Sequence, residues 1–378
     1  MRKAHVLVST LCRLLKTGIR SLTWRKVSIL ATFTILAFIA VTLMQRYFAA
    51  TKLSNLLERD FIERPTRSGV SLVDNQRITN GIDSTNFQQS VPGRIDYFEP
   101  SICPRSIASL PAHSRWFRER FKPNVKMFLD VNDIANLDNS SFYDLPFGLK
   151  NENLTLLKDI LRHPKFKNPS VSSLRAGKDC LSCAVVGSGG ILNGSHAGRE
   201  IDSHDLVFRL NKAVTYGKHA DNVGQKTNVY IFFPQSAHLQ TLKTTNVSLL
   251  YAMFNSFDLT YAAEMFGIGK RNHKLRADPT KLKIIHPNFF RYVFAKYLDG
   301  KSMKPTTGAV AVMLALHLCD SVTIYGFGYD PRYTMHYYDT RFIKRSYKST
   351  WTHDVENEKR LWDKLHDDGA IRFFKRDT

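Results

Sequence analysis

The sequence predicts an α/β fold with one mainly parallel sheet, and three observations carry that expectation. From about Ser182 onward, short apolar runs alternate with helix-like stretches, the pattern of strands joined by helical crossovers. Several of these runs open directly into glycine turns, where open parallel sheets place their ligands. The chain of 378 residues is 43% apolar, with 25 Phe and 15 Tyr, which is enough to bury one large core.

Taken in order, "CAVVG" at 183–187 reads as a buried strand, and "DLVFRLN" at 205–211 as a second. "NVYIFF" (228–233), "SLLYAMF" (248–254) and "LKIIHP" (282–287) follow as strands, the last leading into a helix over 289–298. The uniformly apolar "TGAVAVMLALHLC" (307–319) predicts a buried helix, and "SVTIYGFGYD" (321–330) a strand opening into a loop. "VENEKRLWDKLHDDG" (355–369) has helical spacing and ends in Gly369, after which "AIRFF" is a final strand.

The N-terminal part has a different character. Residues 1–26 contain seven Lys or Arg and no acid, and Val27 to Met44 are eighteen uncharged, mostly apolar residues. That length just spans a bilayer, and no small-residue cleavage site follows it, so an uncleaved signal-anchor is expected. The positive-inside rule then leaves 1–26 in the cytosol and the remainder in a secretory lumen. Residues 45–98 sustain no period and are expected to form a stem, with a globular domain over 99–378. Of the net charge of +21, eight positive charges lie in residues 1–46, leaving +13 on the lumenal part. An anchored lumenal domain has no access to nucleic acid, so the surplus suits anionic ligands such as nucleotides and acidic glycans.

The cysteines agree with a lumenal domain. Cys103, Cys180, Cys183 and Cys319 fall on the oxidising side, where disulfides persist, and four cysteines allow three pairings. The Cys180-x-x-Cys183 spacing lacks the second pair that a zinc site needs. Sequons stand at Asn139, Asn153, Asn193 and Asn246.

Four clusters could carry chemistry. The turn "GSGG" lacks the third glycine of a dinucleotide fingerprint, since Leu192 stands there, but Gly187 and Gly189 could bring backbone N–H groups close to an anion beside the Ser188 hydroxyl. "KPTTGAV" sets Thr306, Thr307 and Gly308 at the start of the apolar helix, a position suited to phosphate or carboxylate. His336 in "HYYD" lies in a loop after a strand, and His353 precedes the helix that carries Glu358. A histidine in such a place can deprotonate a hydroxyl or donate to a leaving phosphate. No Asp-x-Asp pair occurs to hold a metal between two phosphates, so a monophosphate donor and no metal are expected.

In order and spacing, these clusters resemble the motifs of the animal sialyltransferases. "CAVVGSGGILNGSHAGREIDSHDLVFRLNKAVTYGKHADNVGQKTNVY" resembles their L motif and "KPTTGAVAVMLALHLCDSVTIYG" the S motif, while "HYYD" resembles motif III and "HDVENE" the very short motif. The likeness spans roughly Cys103 to the C-terminus. It implies a GT-A-like, variant Rossmann-type domain on a Golgi type II anchor, and metal-independent transfer of sialic acid from CMP-sialic acid to a glycan hydroxyl with inversion. It further implies that Ser188 and Asn211 contact CMP and that Thr306, Thr307 and Gly308 meet the nucleotide and the sialic acid carboxylate. His336 would hold the departing phosphate, His353 would be the base, Glu358 would support the site, and Cys183–Cys319 would be the disulfide joining the L and S motifs. Cys103 with Cys180 is our expectation for the second pair, apart from the resemblance. Many members have Asn where Ser188 stands.

For the acceptor, "CPRSIASLPAHSRWFRERFKPNVKMFLD", "YDLPFG", "GGILNGSHAGREIDSHDLVFRLN" and the C-terminal tail resemble enzymes that place α2,6-linked sialic acid on O-linked GalNAc of glycoproteins. "FFPQSAH" and "YGFGYD" resemble α2,3-transferases acting on galactose instead. An inactive sialic-acid- or nucleotide-binding relative would lose a base, whereas both His336 and His353 are present.

Overall fold

A computed structural model describes residues 103, 106–112, 114–140, 143–169, 174–175, 178–238, 246–270, 277–342 and 353–376. The expected tail, anchor and stem at 1–98 lie outside the described residues. Among the described residues, no helix is long and apolar enough to cross a membrane.

Seven parallel strands form one sheet: β1 (Ser182–Val186), β2 (Leu206–Leu210), β3 (Val229–Phe232), β4 (Ser248–Tyr251), β5 (Leu282–Ile284), β6 (Ser321–Tyr325) and β7 (Arg372–Phe373). Their spatial order is β5-β4-β3-β2-β1-β6-β7. The chain thus builds outward from β1 to β5, then returns to lay β6 on the other side of β1. A reversal of this kind opens a crevice at the carboxyl ends of the two strands that flank it, here β1 and β6.

All seven expected strands are present, with shorter ends. β5 stops at Ile284 because His286 is taken as the N-cap of the next helix, where its Nδ1 accepts the Asn288 N–H. The helices are α1 (Arg115–Arg120), α2 (Leu154–Arg162), α3 (Gly198–Ser203), α4 (Ala220–Val223), α5 (Ser256–Phe266), α6 (Pro287–Tyr297), α7 (Thr307–Leu318) and α8 (Val355–Asp367). Only α6, α7 and α8 follow from the patterns above. α5 has strong ends, a capping box between Asn255 and Asp258 and a left-handed Gly267 after its last turn. Its Tyr261, Ala262, Ala263 and Phe266 are all buried, so no polar stripe marks its period.

The sheet registers place Ala184, Val207, Tyr230 and Leu249 on one face. Those residues pack with Ile201 of α3, Val223 of α4 and Leu259 of α5. Cys183, on the opposite face, is bonded to Cys319 at the end of α7. This disulfide closes a span of 136 residues and ties the first strand to the fully buried helix beside it. A second disulfide joins Cys103 to Cys180, anchoring the N-terminal segment just before β1.

The Cys319→Ser substitution removes the longer closure. It is expected to lower unfolding stability by about 2–5 kcal/mol under oxidising conditions, read from denaturant unfolding beside the unsubstituted chain. An unchanged midpoint would show that packing of α7 alone sets the stability.

Candidate active site

A cleft of about 250 Å³ lies at the β1/β6 crevice. It is lined by Gly187, Ser188 and Gly189 after β1, Asn211 after β2, and Thr306, Thr307 and Gly308 at the start of α7. His353 and Glu358 complete it from the start of α8. Nine of the expected site residues, from four separate stretches of chain, therefore share one wall. His336 does not line this cleft.

The glycines act differently from the expectation that their N–H groups face an anion. The Gly187 N–H donates to the Tyr325 carbonyl at 2.8 Å, and the Gly189 N–H to the Gly326 carbonyl at 2.9 Å. A Cβ at either position would come within 2.6 Å of the Gly326 oxygen. Glycine is needed there so that the loops after β1 and β6 can touch backbone to backbone. The donors suited to an anion are the first-turn N–H groups of α7, Thr307 and Gly308, which have no partner within their own helix.

The loop after β6 forms the opposite rim. Gly326, Phe327, Gly328 and Tyr329 line the cleft, along with Leu210, Phe233, Val355 and Trp362. Phe327 and Trp362 meet edge to face at 5.5 Å. None of these was picked out as a site residue, although the Gly-x-Gly of "YGFGYD" directly after a strand was the available signal. Trp362 also lies four residues after Glu358, on the same face of α8.

Each polar group has an identifiable constraint. Asn211 leaves β2 with φ +52°, in the left-handed region that Asn tolerates. Its backbone is fixed by Tyr230, whose hydroxyl donates to the Asn211 carbonyl at 2.5 Å. Its side-chain Oδ1 is buried and has no hydrogen-bond partner among the described residues. The Ser188 carbonyl accepts the Tyr337 N–H at 2.9 Å.

His353 is half-buried, and its Nδ1 lies 3.0 Å from the Lys304 carbonyl. A carbonyl only accepts, so Nδ1 carries the proton and Nε2 is the ring atom that can take one up. Burial lowers the pKa of this ring below the ordinary histidine value, the charge of Lys304 lowers it further, and the carbonyl contact opposes both.

Glu358 is only 6% exposed. One of its oxygens accepts the Thr306 N–H at 2.9 Å and the other the Thr306 hydroxyl at 2.6 Å. The same hydroxyl accepts the Ala309 N–H at 3.0 Å as N-cap of α7, so its proton is committed to Glu358 rather than to a ligand. Burial pushes the Glu358 carboxyl up to about 7, against the opposing pull of both Thr306 contacts.

His336 is held apart from the cleft surface, its Nδ1 2.7 Å from Asp339 Oδ2. Among the sequons, the Oδ1 of Asn153 caps α2 by accepting the Leu156 N–H. Asn193 and Asn246 are exposed. Asn139 lies in the 3-10 stretch Val131–Ser140. No group of three or more His, Cys, Asp or Glu side chains among the described residues is placed to hold a metal ion.

Comparison with known proteins gives this cleft its family. Residues 129–370 match glycosyltransferase family 29 (sialyltransferase). The chain belongs to that family. It is 32% identical over 320 residues to alpha-N-acetylgalactosaminide alpha-2,6-sialyltransferase 1 of Gallus gallus, covering 73% of this chain and 56% of that one. It is 33% identical over 295 residues to CMP-N-acetylneuraminate-beta-galactosamide-alpha-2,3-sialyltransferase 1 of Homo sapiens, covering 75% and 84%. This family-29 chain thus spans little more than half the length of its alpha-2,6 relatives. A crystal structure of a mammalian sialyltransferase in complex with Gal-beta-1-3GalNAc-ortho-nitrophenol aligns with a TM-score of 0.58 at 29% identity, covering 74% of this chain and all of that one.

Two substitutions test the site's construction. Gly189→Ala must displace the Gly326 carbonyl, and ligand affinity at the cleft is expected to fall more than 10-fold, about 1.4 kcal/mol or more, read by calorimetric titration with CMP. Glu358 titrates near 7 when folded and near its ordinary 4.5 when unfolded. Between those values the folded chain binds the extra proton, so this group's contribution to stability falls as pH rises from 4.5 to 7, by about 3 kcal/mol in all. Glu358→Gln removes that slope. Parallel pH dependences of unfolding in the two proteins would refute it.

Proposed function

We propose that this chain transfers sialic acid from CMP-sialic acid to a glycan hydroxyl, with inversion at the anomeric carbon and without a metal. The observation that carries this reading is the Asn211 side chain. A buried acceptor left without a partner costs about 1–3 kcal/mol, and this one belongs to the wall of a cleft that ends at a helix N-terminus. A nucleoside monophosphate satisfies both features, supplying N–H or O–H groups to Asn211 and an anion to the start of α7.

In this reading Asn211 and Ser188 hold the nucleoside. The Thr307 and Gly308 N–H groups face the phosphate or the sialic acid carboxylate. Thr306 shapes that helix start through Glu358 and does not itself donate. His353 Nε2 takes the proton from the acceptor hydroxyl as that oxygen attacks the anomeric carbon, while the glycosidic bond to CMP breaks and its electron pair leaves on the phosphate. The motif III likeness assigns His336 to that phosphate as a hydrogen-bond donor, from a loop tied to the cleft wall through the Tyr337 N–H and the Ser188 carbonyl. One phosphate needs no bridging cation when a helix terminus and an imidazole share its charge. The all-parallel sheet and the reversal between β1 and β6 support the variant Rossmann-type relation to GT-A folds.

For the acceptor we favour α2,6 transfer to O-linked GalNAc of glycoproteins, because the matching segments bracket the domain from Cys103 to the final strand. The second reading, α2,3 transfer to galactose, is favoured by one observation. Phe233 and Gly326–Tyr329, from the two segments with α2,3 likeness, both line the cleft. A Golgi membrane location through the 27–44 segment completes the proposal.

The test is incubation of the full chain with CMP-sialic acid and either GalNAc-Ser/Thr or Galβ1,3GalNAc, with linkage analysis of the product. Transfer is expected to survive EDTA and to fall about 10²-fold or more in His353→Ala. Because burial lowers the His353 pKa, the base stays neutral and active below pH 6.5, and the acid limb of kcat/KM lies under that value. Loss of activity on adding EDTA would overturn the metal-free mechanism. An unchanged rate in the alanine variant would overturn the base assignment.

A further inference from the structure

A threonine hydroxyl has three hydrogen-bonding positions, its own hydrogen and two lone pairs. In Thr306 one lone pair accepts the Ala309 N–H at 3.0 Å, the contact that caps α7. The hydrogen goes to Glu358 Oε2 at 2.6 Å, while Glu358 Oε1 takes the Thr306 N–H at 2.9 Å. The third position is a lone pair, on a half-buried residue of the cleft wall. With the carboxyl ionised, Thr306 therefore has no hydrogen to give a ligand. The helix start that draws an anion shows it a lone pair instead, with a negative charge next to it. Both features oppose the N–H groups of Thr307 and Gly308.

One added proton reverses this without moving a heavy atom. A hydrogen on Glu358 Oε2 is donated to Thr306 Oγ, since 2.6 Å suits an O–H···O bond read in either direction. On Oε1 it would meet only the Thr306 N–H, which is no acceptor. Once Oγ accepts from both Oε2 and the Ala309 N–H, its own hydrogen turns to the third position. The carboxyl is then neutral and the hydroxyl is a donor. Resting on the CMP-sialic acid reading above, we infer that Glu358 is a positioning residue that takes up a proton as the sugar donor binds, and so turns the Thr306 hydroxyl onto its phosphate or carboxylate. The free site is poised for that change. Burial holds the carboxyl at about 7 against both Thr306 contacts, and an anion in the cleft raises it further. Asp354, the N-cap of α8, adds to the rise. The other titratable groups beside it are His353, with Lys304 at its Nδ1, and Tyr329 from the loop after β6.

The experiment is calorimetric titration of the full chain with CMP-3-fluorosialic acid, whose phosphodiester and carboxylate keep their charge from about pH 5.5 to about pH 8.5. Buffers of different ionisation enthalpy count the protons taken up. The unsubstituted chain is expected to bind about 10-fold more tightly at the acid end of that range, and to take up a proton when it binds at the alkaline end. Glu358→Gln holds the second state permanently, because its amide N–H replaces the carboxylic proton at Thr306 Oγ. It is expected to bind about 10-fold more tightly than the unsubstituted chain near pH 8.5, equally near pH 5.5, and with less proton uptake. In a Thr306→Val background the same change is expected to gain less than about 3-fold, since no hydroxyl is left to turn. A full gain there comes from the lost charge alone and overturns the inference. Weaker binding by Glu358→Gln at the alkaline end marks the carboxyl as merely structural and overturns it too. So does an unsubstituted chain that takes up no proton, a result that needs no variant to fold. Failure of the unsubstituted chain to bind the analogue at any pH would instead overturn the donor reading on which the inference rests.

Discussion

The site depends on one buried contact, the carboxyl of Glu358 closed on the N–H and hydroxyl of Thr306. Thr306 starts α7 and Glu358 belongs to the first turn of α8, elements separated by β6 and a long loop in the chain. Removing a carboxyl from water is expensive unless each oxygen finds a donor. Here both do, and both donors come from a single residue. The contact thereby brings two helix N-termini to one cleft. One delivers backbone donors, and the other delivers His353, whose Nδ1 is held by the Lys304 carbonyl two residues before Thr306.

The strand order supplies the space that this contact closes. β1 and β6 are neighbours, and their following loops diverge at the reversal of the sheet. At their roots those loops meet through the Gly187–Tyr325 and Gly189–Gly326 hydrogen bonds. Gly308 faces the same loop, since a Cβ there would lie 2.9 Å from the Phe327 ring. Three glycines from two motifs thus accommodate a single loop. The backbone donors suited to an anion belong to the start of α7.

Much of this was legible in the sequence for simple reasons. Seven strands showed as apolar runs because a parallel sheet covered on both faces needs continuous burial. α7 showed because it is apolar on every side. α5 is apolar too, but it shares that character with the strand before it, and only its caps separate the two. The site residues were legible as types and positions, since glycines after strands and histidines before helices carry their chemistry openly. Their partners were not. The commitment of Gly187 and Gly189 to β6 and the spending of the Thr306 proton on Glu358 are tertiary facts with no local signal. The pairing of His336 with Asp339 depends on a turn whose shape three letters do not specify.

The two histidines sit in unlike surroundings. His353 is half-buried and gives its Nδ1 proton to a neutral carbonyl, and burial lowers the pKa of its ring. His336 gives its Nδ1 proton to the Asp339 carboxylate instead. In the proposed reaction that difference suits His353 to take the proton of the acceptor hydroxyl, because burial lowers the pKa of its ring.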